Sequence, residues 1–181
     1  MRRARFVFLD RDGTLVEDHG FVHRLSDYAL LPGTIEALRL LQSAGYGLAI
    51  VTNQSGIGRG VYTVEDFWAF QGRLLADLEG QGIRIAETYF CPHRPDEGCA
   101  CRKPSPASLF RARDRFDVDL ARSWVIGDHA SDVALGAAAG CRSILVLTGH
   151  GAMEQSKLEP SPAAMVLPDI LSAARHIIAS G

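Results

Sequence analysis

The sequence RFVFLDRDGT at residues 5–14 joins a short apolar run to an acidic turn. The apolar part, Arg5 to Leu9, has the length and character of a buried strand. The second part is rich in Asp and Gly, which favour turns because Asp bonds to its own backbone and Gly tolerates tight bends. The stretch therefore predicts a buried strand that ends in two carboxylates, Asp10 and Asp12.

Beyond this stretch, short apolar runs alternate with amphipathic helical patterns along the chain. Further strands are predicted at 48–51, 87–90, 123–126 and 143–147, and helices at 34–45, 63–80, 106–116, 131–139 and 169–179. Thr63 and Asp66 form a capping-box pattern at the start of one helix, and Trp68 and Trp124 are predicted core residues. The stretch with Pro160, Pro162 and Pro168 is predicted to be irregular. Because parallel strands need crossover connections, this alternation predicts an α/β protein with a parallel sheet.

Composition limits the classes of function. The chain has 181 residues, of which 47% are hydrophobic and 22% charged, so we expect one globular domain over 1–181. The formal charge of −2 gives no electrostatic reason to expect a nucleic-acid partner. Apolar runs are too short for a membrane span or a secretory leader, so no membrane association and a cytoplasmic location are expected. A monomer is the expected state.

Polar residues follow several of the predicted strands. Thr52 and Asp128 each end a strand, as Asp10 and Asp12 do, and Lys103 lies in a loop between them. In parallel sheets, ligands bind at the carboxyl ends of the strands. An Asp-Gly turn alone is often structural, but the set supplies the parts of a phosphoryl-transfer site. Carboxylates as close as Asp10 and Asp128 would repel each other without a cation, and oxygen ligands suit Mg²⁺.

These residues resemble the four motifs of haloacid dehalogenase superfamily phosphatases. The motifs are Asp10-Arg11-Asp12-Gly13-Thr14, Thr52-Asn53, Lys103 and Gly127-Asp128-x-x-x-Asp132. The resemblance implies a Rossmann-like parallel sheet with helices on both faces, a minimal cap and an aspartyl-phosphate intermediate. It makes Asp10 the nucleophile and Asp12 the general acid and base, with Thr52 and Lys103 steadying the phosphoryl group. Asp10, the carbonyl of Asp12 and Asp128 would hold Mg²⁺.

A second cluster contains sulfur and imidazole ligands. Cys91, His93, Cys99 and Cys101 lie within eleven residues, at 91–101. Three thiolates and one imidazole form a usual tetrahedral set for structural Zn²⁺. A local disulfide or reactive thiols are the alternatives, and a reducing compartment makes them less favourable. We therefore expect zinc, with an architectural role because four protein ligands leave no open position. The isolated Cys141 is expected to be a small buried residue.

The zinc loop and the Arg102-Lys103-Pro104 segment after it resemble two phosphatase families, the heptose bisphosphate phosphatases and the histidinol-phosphate phosphatases. The segments at 18–23 and 52–60 resemble the heptose family more closely. That likeness implies that substrate is contacted by Asp18, His19, Gly20, Phe21, Asn53, Gln54, Ser55, Arg102 and His129. Two features depart from the pattern: only five residues separate His93 from Cys99, as in the histidinol-phosphate enzymes, and His129 replaces a common Lys.

The resemblance implies Mg²⁺-dependent removal of the C7 phosphate from a phosphorylated sugar, heptose 1,7-bisphosphate. The product, heptose 1-phosphate, would serve nucleotide-activated heptose and lipopolysaccharide core synthesis. Arg102 would bind the phosphate that does not react, since a guanidinium binds phosphate bidentately; the alternative is a surface Arg on the zinc loop. Histidinol phosphate is the alternative substrate. A zinc-stabilised binding module is the alternative class, although such a module would not need an acid paired with a nucleophile.

Overall fold

The computed structural model describes residues 3–158 and 164–181. Six strands form a parallel sheet in these parts of the chain, in the order β3-β2-β1-β4-β5-β6. The strands are β1 (Arg5–Leu9), β2 (Tyr46–Asn53), β3 (Ile85–Cys91), β4 (Trp124–Gly127), β5 (Arg142–Val146) and β6 (Ala164–Leu167). Helices connect them, and the predicted α/β class is confirmed.

Seven α-helices are found within the described residues. They are α1 (Thr34–Ser43), α2 (Ser55–Gly58), α3 (Val64–Gly80), α4 (Ala107–Phe116), α5 (Ala130–Ala139), α6 (Gly151–Glu154) and α7 (Ile170–Ala179). The predicted capping box is present at the start of α3, where Thr63 Oγ1 accepts from the Asp66 amide at 3.1 Å and an Asp66 carboxylate oxygen accepts from the Thr63 amide at 2.9 Å. The one-turn helices α2 and α6 were not predicted.

Both faces of the sheet are covered, because side chains alternate along each strand. In β1, Val7 and Leu9 point into one core with α1, α3 and α7, whereas Phe6 and Phe8 point into a second core with α4 and α5. A strand that is buried on both faces has a continuous run of apolar residues in its sequence. This is why β1 could be recognised from its composition.

The strand order reverses between β1 and β4. From β1 the chain builds outward through β2 and β3, and it then returns to the other side of β1 to form β4, β5 and β6. Loops that leave β1 and β4 therefore part in opposite directions and open a crevice at the carboxyl ends of these strands. The chain places Asp10 directly after β1 and Asp128 directly after β4.

Three expectations about the fold were wrong. Residues 164–167, in the stretch predicted to be irregular, form the edge strand β6, which pairs with β5. The strand predicted at 48–51 is longer and includes Thr52 and Asn53. Trp124 is buried as predicted, but Trp68 is 44% exposed and packs edge-on against Phe67 and Phe90. Pro160 and Pro162 lie outside the described residues. In the described part of the chain, no helix combines the length and apolar character of a membrane span.

Candidate active site

Lys103 lies at the centre of the crevice and is only 5% exposed. Its ammonium nitrogen lies 2.8 Å from Asp10 Oδ1, 2.7 Å from Asp132 Oδ1 and 2.8 Å from the Val51 carbonyl oxygen. An ammonium group has three N–H donors, and three acceptors surround it here. Burial alone would lower the pKa of Lys103, but the two carboxylates raise it above its ordinary value. The side chain is therefore a fixed positive charge beside Asp10.

Asp128 lies fully buried beneath the crevice. Its Oδ2 accepts a hydrogen bond of 2.8 Å from the His150 amide, whereas its Oδ1 has no hydrogen-bond partner within residues 3–158 and 164–181. Burial, and then the charge of Asp10, raise the pKa of Asp128 to about 9. Asp10, Asp128 and Asp132 each offer an oxygen within 4.8 Å of the others. Buried oxygen donors with an unpartnered atom fit a hard divalent cation such as Mg²⁺.

The three carboxylates differ in how many of their oxygens already contact protein groups. Asp132 Oδ2 accepts a hydrogen bond from the His129 amide at 3.0 Å, and its Oδ1 forms an ion pair with Lys103 at 2.7 Å without hydrogen-bond geometry. Burial raises the pKa of Asp132 to about 6, although Lys103 acts in the opposite direction. Asp132 therefore supports Lys103 and the start of α5, and the free oxygen of Asp128 remains the better cation ligand.

Two glycines pack closely against the Asp128 carboxylate. Gly13, with φ of 77°, and Gly149, with φ of 55°, both have left-handed backbones. A Cβ atom on either residue would lie 2.2 Å from Asp128 Oδ2. The turns after β1 and β5 therefore need glycine both for their backbone conformation and for space beside the carboxylate.

Asp12 faces the crevice from the turn after β1, and its side chain is 19% exposed. Arg11 donates to both of its oxygens, from Nε to Oδ1 at 2.7 Å and from Nη2 to Oδ2 at 3.0 Å. Burial raises the pKa of Asp12 above its usual value, and the positive charge of Arg11 opposes this rise. A carboxyl group with a raised pKa is suited to donate a proton and later to accept one.

Asp10, Asp12 and Lys103 line one cleft of about 320 Å³, whereas Asp128 and Asp132 are not among its lining residues. Its walls contain Asp10, Asp12, Asp18, Gly20, Phe21, Thr52, Asn53, Gln54, Ser55, Tyr62, Arg102, Lys103, His129, Ser131 and His150. All of the predicted catalytic and substrate-contacting residues except His19 are among them. The His19 side chain is 63% exposed and lies 3.0 Å from Glu17 Oε2, outside the cleft.

Two of the predicted substrate-contacting residues use their amides to hold catalytic groups. Asn53 brackets the backbone of Lys103, because its Oδ1 accepts from the Lys103 amide at 3.0 Å and its Nδ2 donates to the Lys103 carbonyl at 3.4 Å. Gln54 is buried, and its Nε2 donates to Asp12 Oδ2 at 2.8 Å and to Thr52 Oγ1 at 2.7 Å. Substrate contact by these two side chains stays a prediction.

Three residues of the cleft had no predicted role: Tyr62, Ser131 and His150. Tyr62 donates to Gln54 Oε1, and burial raises the pKa of its hydroxyl to about 12. The His150 ring nitrogen Nε2 lies 3.1 Å from Asp18 Oδ2. His150 follows β5, so the rule that ligands bind at strand ends could have identified it. Nothing in the sequence marks Tyr62, which follows the one-turn helix α2.

Arg102, His129, His150 and Phe21 also line the cleft, where they would meet the rest of a substrate. Arg102 donates from Nη1 to the His93 carbonyl at 3.3 Å, which ties its guanidinium to the sulfur-rich loop. The His129 and His150 rings lie 5.0 Å apart. Phe21 is 46% exposed and has a φ of 50°, a left-handed conformation that is uncommon for a bulky residue. Its ring stands at the open side of the cleft.

The loop at 91–101 gathers its four predicted ligands. Cys91 Sγ lies 3.5 Å from Cys99 Sγ and 3.1 Å from Cys101 Sγ, and His93 Nδ1 lies 3.2 Å from Cys101 Sγ. Ligands about 2.3 Å from a tetrahedral zinc ion lie about 3.8 Å apart, close to these separations. All four cysteines of the chain are free thiols. The donor set and its compactness fit Zn²⁺, and Arg102 and Lys103 follow the cluster directly.

Comparison with known proteins places the chain in a family. The family model described as HAD-hydrolase-like matches residues 100–173. The D-glycero-beta-D-manno-heptose-1,7-bisphosphate 7-phosphatase of Yersinia pestis is 41% identical, with 79% of this chain and 80% of that protein aligned. The enzyme of the same name from Pseudomonas putida is 35% identical, with 96% of this chain and 99% of that protein aligned.

Solved structures agree with the sequence comparison. The D,D-heptose 1,7-bisphosphate phosphatase of B. bronchiseptica, crystallised with magnesium and phosphate, superposes with a TM-score of 0.91 at 32% identity. That alignment covers 98% of this chain and 99% of the other. The haloacid dehalogenase fold predicted from the motifs is therefore confirmed. The chain belongs to the heptose bisphosphate phosphatase family of the haloacid dehalogenase superfamily, and it is a phosphoric monoester hydrolase.

Proposed function

We propose that the chain removes the C7 phosphate of D-glycero-D-manno-heptose 1,7-bisphosphate in a Mg²⁺-dependent reaction that passes through phosphorylated Asp10. The names of its relatives support this substrate. The observation that carries the proposal is the shared cleft, which Asp10, Asp12, Lys103 and Arg102 all line. The product would be heptose 1-phosphate, a precursor for nucleotide-activated heptose.

In the first step, an Asp10 carboxylate oxygen forms a bond to phosphorus while the bond from phosphorus to the C7 oxygen breaks. Asp12 donates its proton to the leaving alkoxide, as its raised pKa allows. Lys103, fixed 2.8 Å from Asp10, supplies positive charge next to the phosphoryl oxygens. Bound Mg²⁺, held by Asp10, Asp128 and the Asp12 carbonyl, would neutralise further charge on those oxygens.

In the second step, a water oxygen forms a bond to phosphorus and the bond between phosphorus and Asp10 breaks, which releases inorganic phosphate. Asp12, ionised by the first step, takes the proton from this water. Thr52 lies in the cleft beside these groups, where its hydroxyl can donate to a phosphoryl oxygen. The chain then regains its starting protonation state, so one Asp residue serves as acid and then as base.

The phosphate that does not react would bind elsewhere in the same cleft. We propose that Arg102 holds it and that zinc, bound by the loop at 91–101, fixes the backbone to which Arg102 is tied. A charge-assisted hydrogen bond of this kind is worth about 1.5–3 kcal/mol. That energy is available only to a substrate that carries a second phosphate.

One measurement tests the substrate directly: kcat/KM for heptose 1,7-bisphosphate against kcat/KM for histidinol phosphate. The five-residue spacer between His93 and Cys99 favours histidinol phosphate as the competing substrate. We expect the bisphosphate to be preferred by at least the value of one charge-assisted contact, about tenfold. A preference for histidinol phosphate would refute the heptose assignment and leave the phosphatase chemistry standing.

Arg102→Ala separates recognition of the second phosphate from catalysis. We expect kcat/KM for the bisphosphate to fall about 10 to 150-fold, and kcat/KM for a simple monophosphate ester to change much less. Arg94→Ala is the matched control, because Arg94 lies on the same loop but pairs with Asp96 at the surface. An equal fall on both substrates would show that Arg102 supports the loop or the reacting phosphate instead.

A further inference from the structure

We propose that Arg11 is a positioning residue that fixes the Asp12 carboxylate for both of its proton transfers. This inference rests on the proposed function, in which Asp12 is the acid and then the base. Arg11 stands between the two aspartates of the turn, and its guanidinium does not line the cleft. It therefore acts through Asp12 and not on the substrate.

The contact geometry defines the plane of the Asp12 carboxylate. Two nitrogens of the guanidinium, Nε and Nη2, donate to the two oxygens at 2.7 and 3.0 Å. A planar fork of this kind sets both the position and the rotation of the carboxylate, which a single hydrogen bond does not. Gln54 adds a third donor to Oδ2 at 2.8 Å. One lone pair of Asp12, on Oδ1, is then left to face the cleft.

Most of the guanidinium is held by its neighbours, and only Nη1 has no hydrogen-bond partner among the described residues. Arg11 is 0% exposed, which is exceptional for an arginine in a turn. Its central carbon lies 4.6 Å from the ring centre of Phe70 and 5.4 Å from that of Phe67, and Nη2 also donates to the Val22 carbonyl at 2.9 Å. A side chain with so many fixed partners does not follow Asp12 if the carboxylate moves. Arg11 is thus a rigid support for a partly exposed group.

A purely structural role predicts a different kinetic result from a positioning role. If Arg11 only stabilises the turn, its loss should disturb Asp10 and Asp12 alike, since both belong to that turn. If Arg11 positions Asp12, the rate of attack by Asp10 should be unchanged for any substrate whose leaving group needs no proton. An aryl phosphate such as p-nitrophenyl phosphate provides that case, because its phenolate leaves without protonation. Hydrolysis of phosphorylated Asp10 still requires Asp12 as base.

The test is rapid-quench kinetics of Arg11→Lys with p-nitrophenyl phosphate and with an alkyl phosphate. Lys keeps the positive charge but lacks the two parallel N–H donors of the guanidinium. With the aryl ester, we expect a burst of one nitrophenolate per enzyme at a rate close to that of the wild type, followed by turnover slowed about 10 to 100-fold. With the alkyl ester, we expect the first turnover to be slowed as well, with no burst. Arg5→Lys is the matched control, since Arg5 packs 4.4 Å from the Tyr46 ring centre far from the cleft.

Equal slowing of burst and steady state, or unchanged kinetics, would overturn the positioning role. Asp12→Asn measured in parallel tests the proposed function separately: if it hydrolyses the alkyl ester at the wild-type rate, Asp12 is not the acid, whatever Arg11 does. If Arg11→Lys does not fold, Phe70→Leu removes one ring from the guanidinium and keeps every polar partner. We then expect the same burst, with a smaller fall in steady-state turnover than the one expected for Arg11→Lys. An equal fall in the burst rate and in the steady-state rate would contradict the proposal.

Discussion

Replacing Lys103 by Met should destabilise the fold strongly, because the ammonium is the shared partner of two buried carboxylates. The substitution leaves Asp10 and Asp132, now 8% and 2% exposed at their side chains, without their contacts at 2.8 and 2.7 Å. It also removes the donor to the Val51 carbonyl. Removing one partner of a buried ion pair costs about 3–5 kcal/mol. We expect the free energy of unfolding to fall by about that amount.

Urea unfolding at pH 7 in the presence of a chelator measures this loss. The midpoint should fall while the dependence of free energy on urea stays the same. Lys157→Met is the matched control, because the Lys157 side chain is 63% exposed and pairs with Glu154, whose side chain is 11% exposed. A pair whose cation keeps its contact with water contributes less than a fully buried pair. If Lys103→Met cost no more than Lys157→Met, the electrostatic account of the crevice would be wrong.

The loss should also depend on pH in a defined direction. Burial already raises the pKa of Asp132 to about 6, and removal of Lys103 should raise it further. A carboxyl group whose folded pKa exceeds its unfolded pKa stabilises the fold below the unfolded value, and this contribution is lost as pH rises through the folded value. The difference between variant and wild type should therefore be smaller at pH 4 than at pH 7.

Three further changes test other parts of the account. Asp10→Asn should keep the fold but reduce phosphate release by several powers of ten, because the attacking charge is lost; near-normal turnover at saturating Mg²⁺ would exclude the covalent route. Cys99→Ser should lose zinc in elemental analysis and loosen the loop that carries Arg102, whereas a zinc-free wild type would contradict the metal assignment. Burial raises the pKa of Cys141 to about 12, so the folded state keeps a proton that the unfolded state loses above about pH 9. In the wild type, the free energy of unfolding should therefore fall by up to about 1.4 kcal/mol per pH unit between pH 9 and 11, and Cys141→Ala should remove this fall. If the pH dependence of the free energy, measured by urea unfolding, is the same in the variant, that result would count against the burial of Cys141.

The sequence was sufficient for features that depend on topology. A buried apolar strand followed by acids predicts where β1 ends, and the carboxyl ends of parallel strands share one edge of the sheet. Asp10, Thr52 and Asp128 could therefore be placed together from the sequence, and Lys103 was added through its resemblance to the family motif. The predicted zinc ligands of the loop at 91–101 lie so close in sequence that their spacing alone brings them together.

The sequence was insufficient wherever side-chain direction decides the role. Asn53 and Gln54 belong to a motif that suggests substrate contact, yet their amides bond to Lys103 and Asp12. His19 follows Asp18 in the same loop but turns outward to Glu17. Arg11 looks like a turn residue, and only the packing of α3 shows that Phe67 and Phe70 bury it. Rotamers of this kind follow from tertiary packing and not from local pattern.

The most direct test of the central claim is to identify the residue that carries the phosphoryl group during turnover. Asp12→Asn, mixed with p-nitrophenyl phosphate and Mg²⁺ and quenched in acid, should accumulate a phosphoryl adduct, because the phenolate leaves without an acid and the base for hydrolysis of the adduct is absent. Peptide mass spectrometry should place that adduct on Asp10, and Asp10→Asn should abolish it. An adduct on another residue, or sustained turnover of the bisphosphate by Asp10→Asn, would contradict the account.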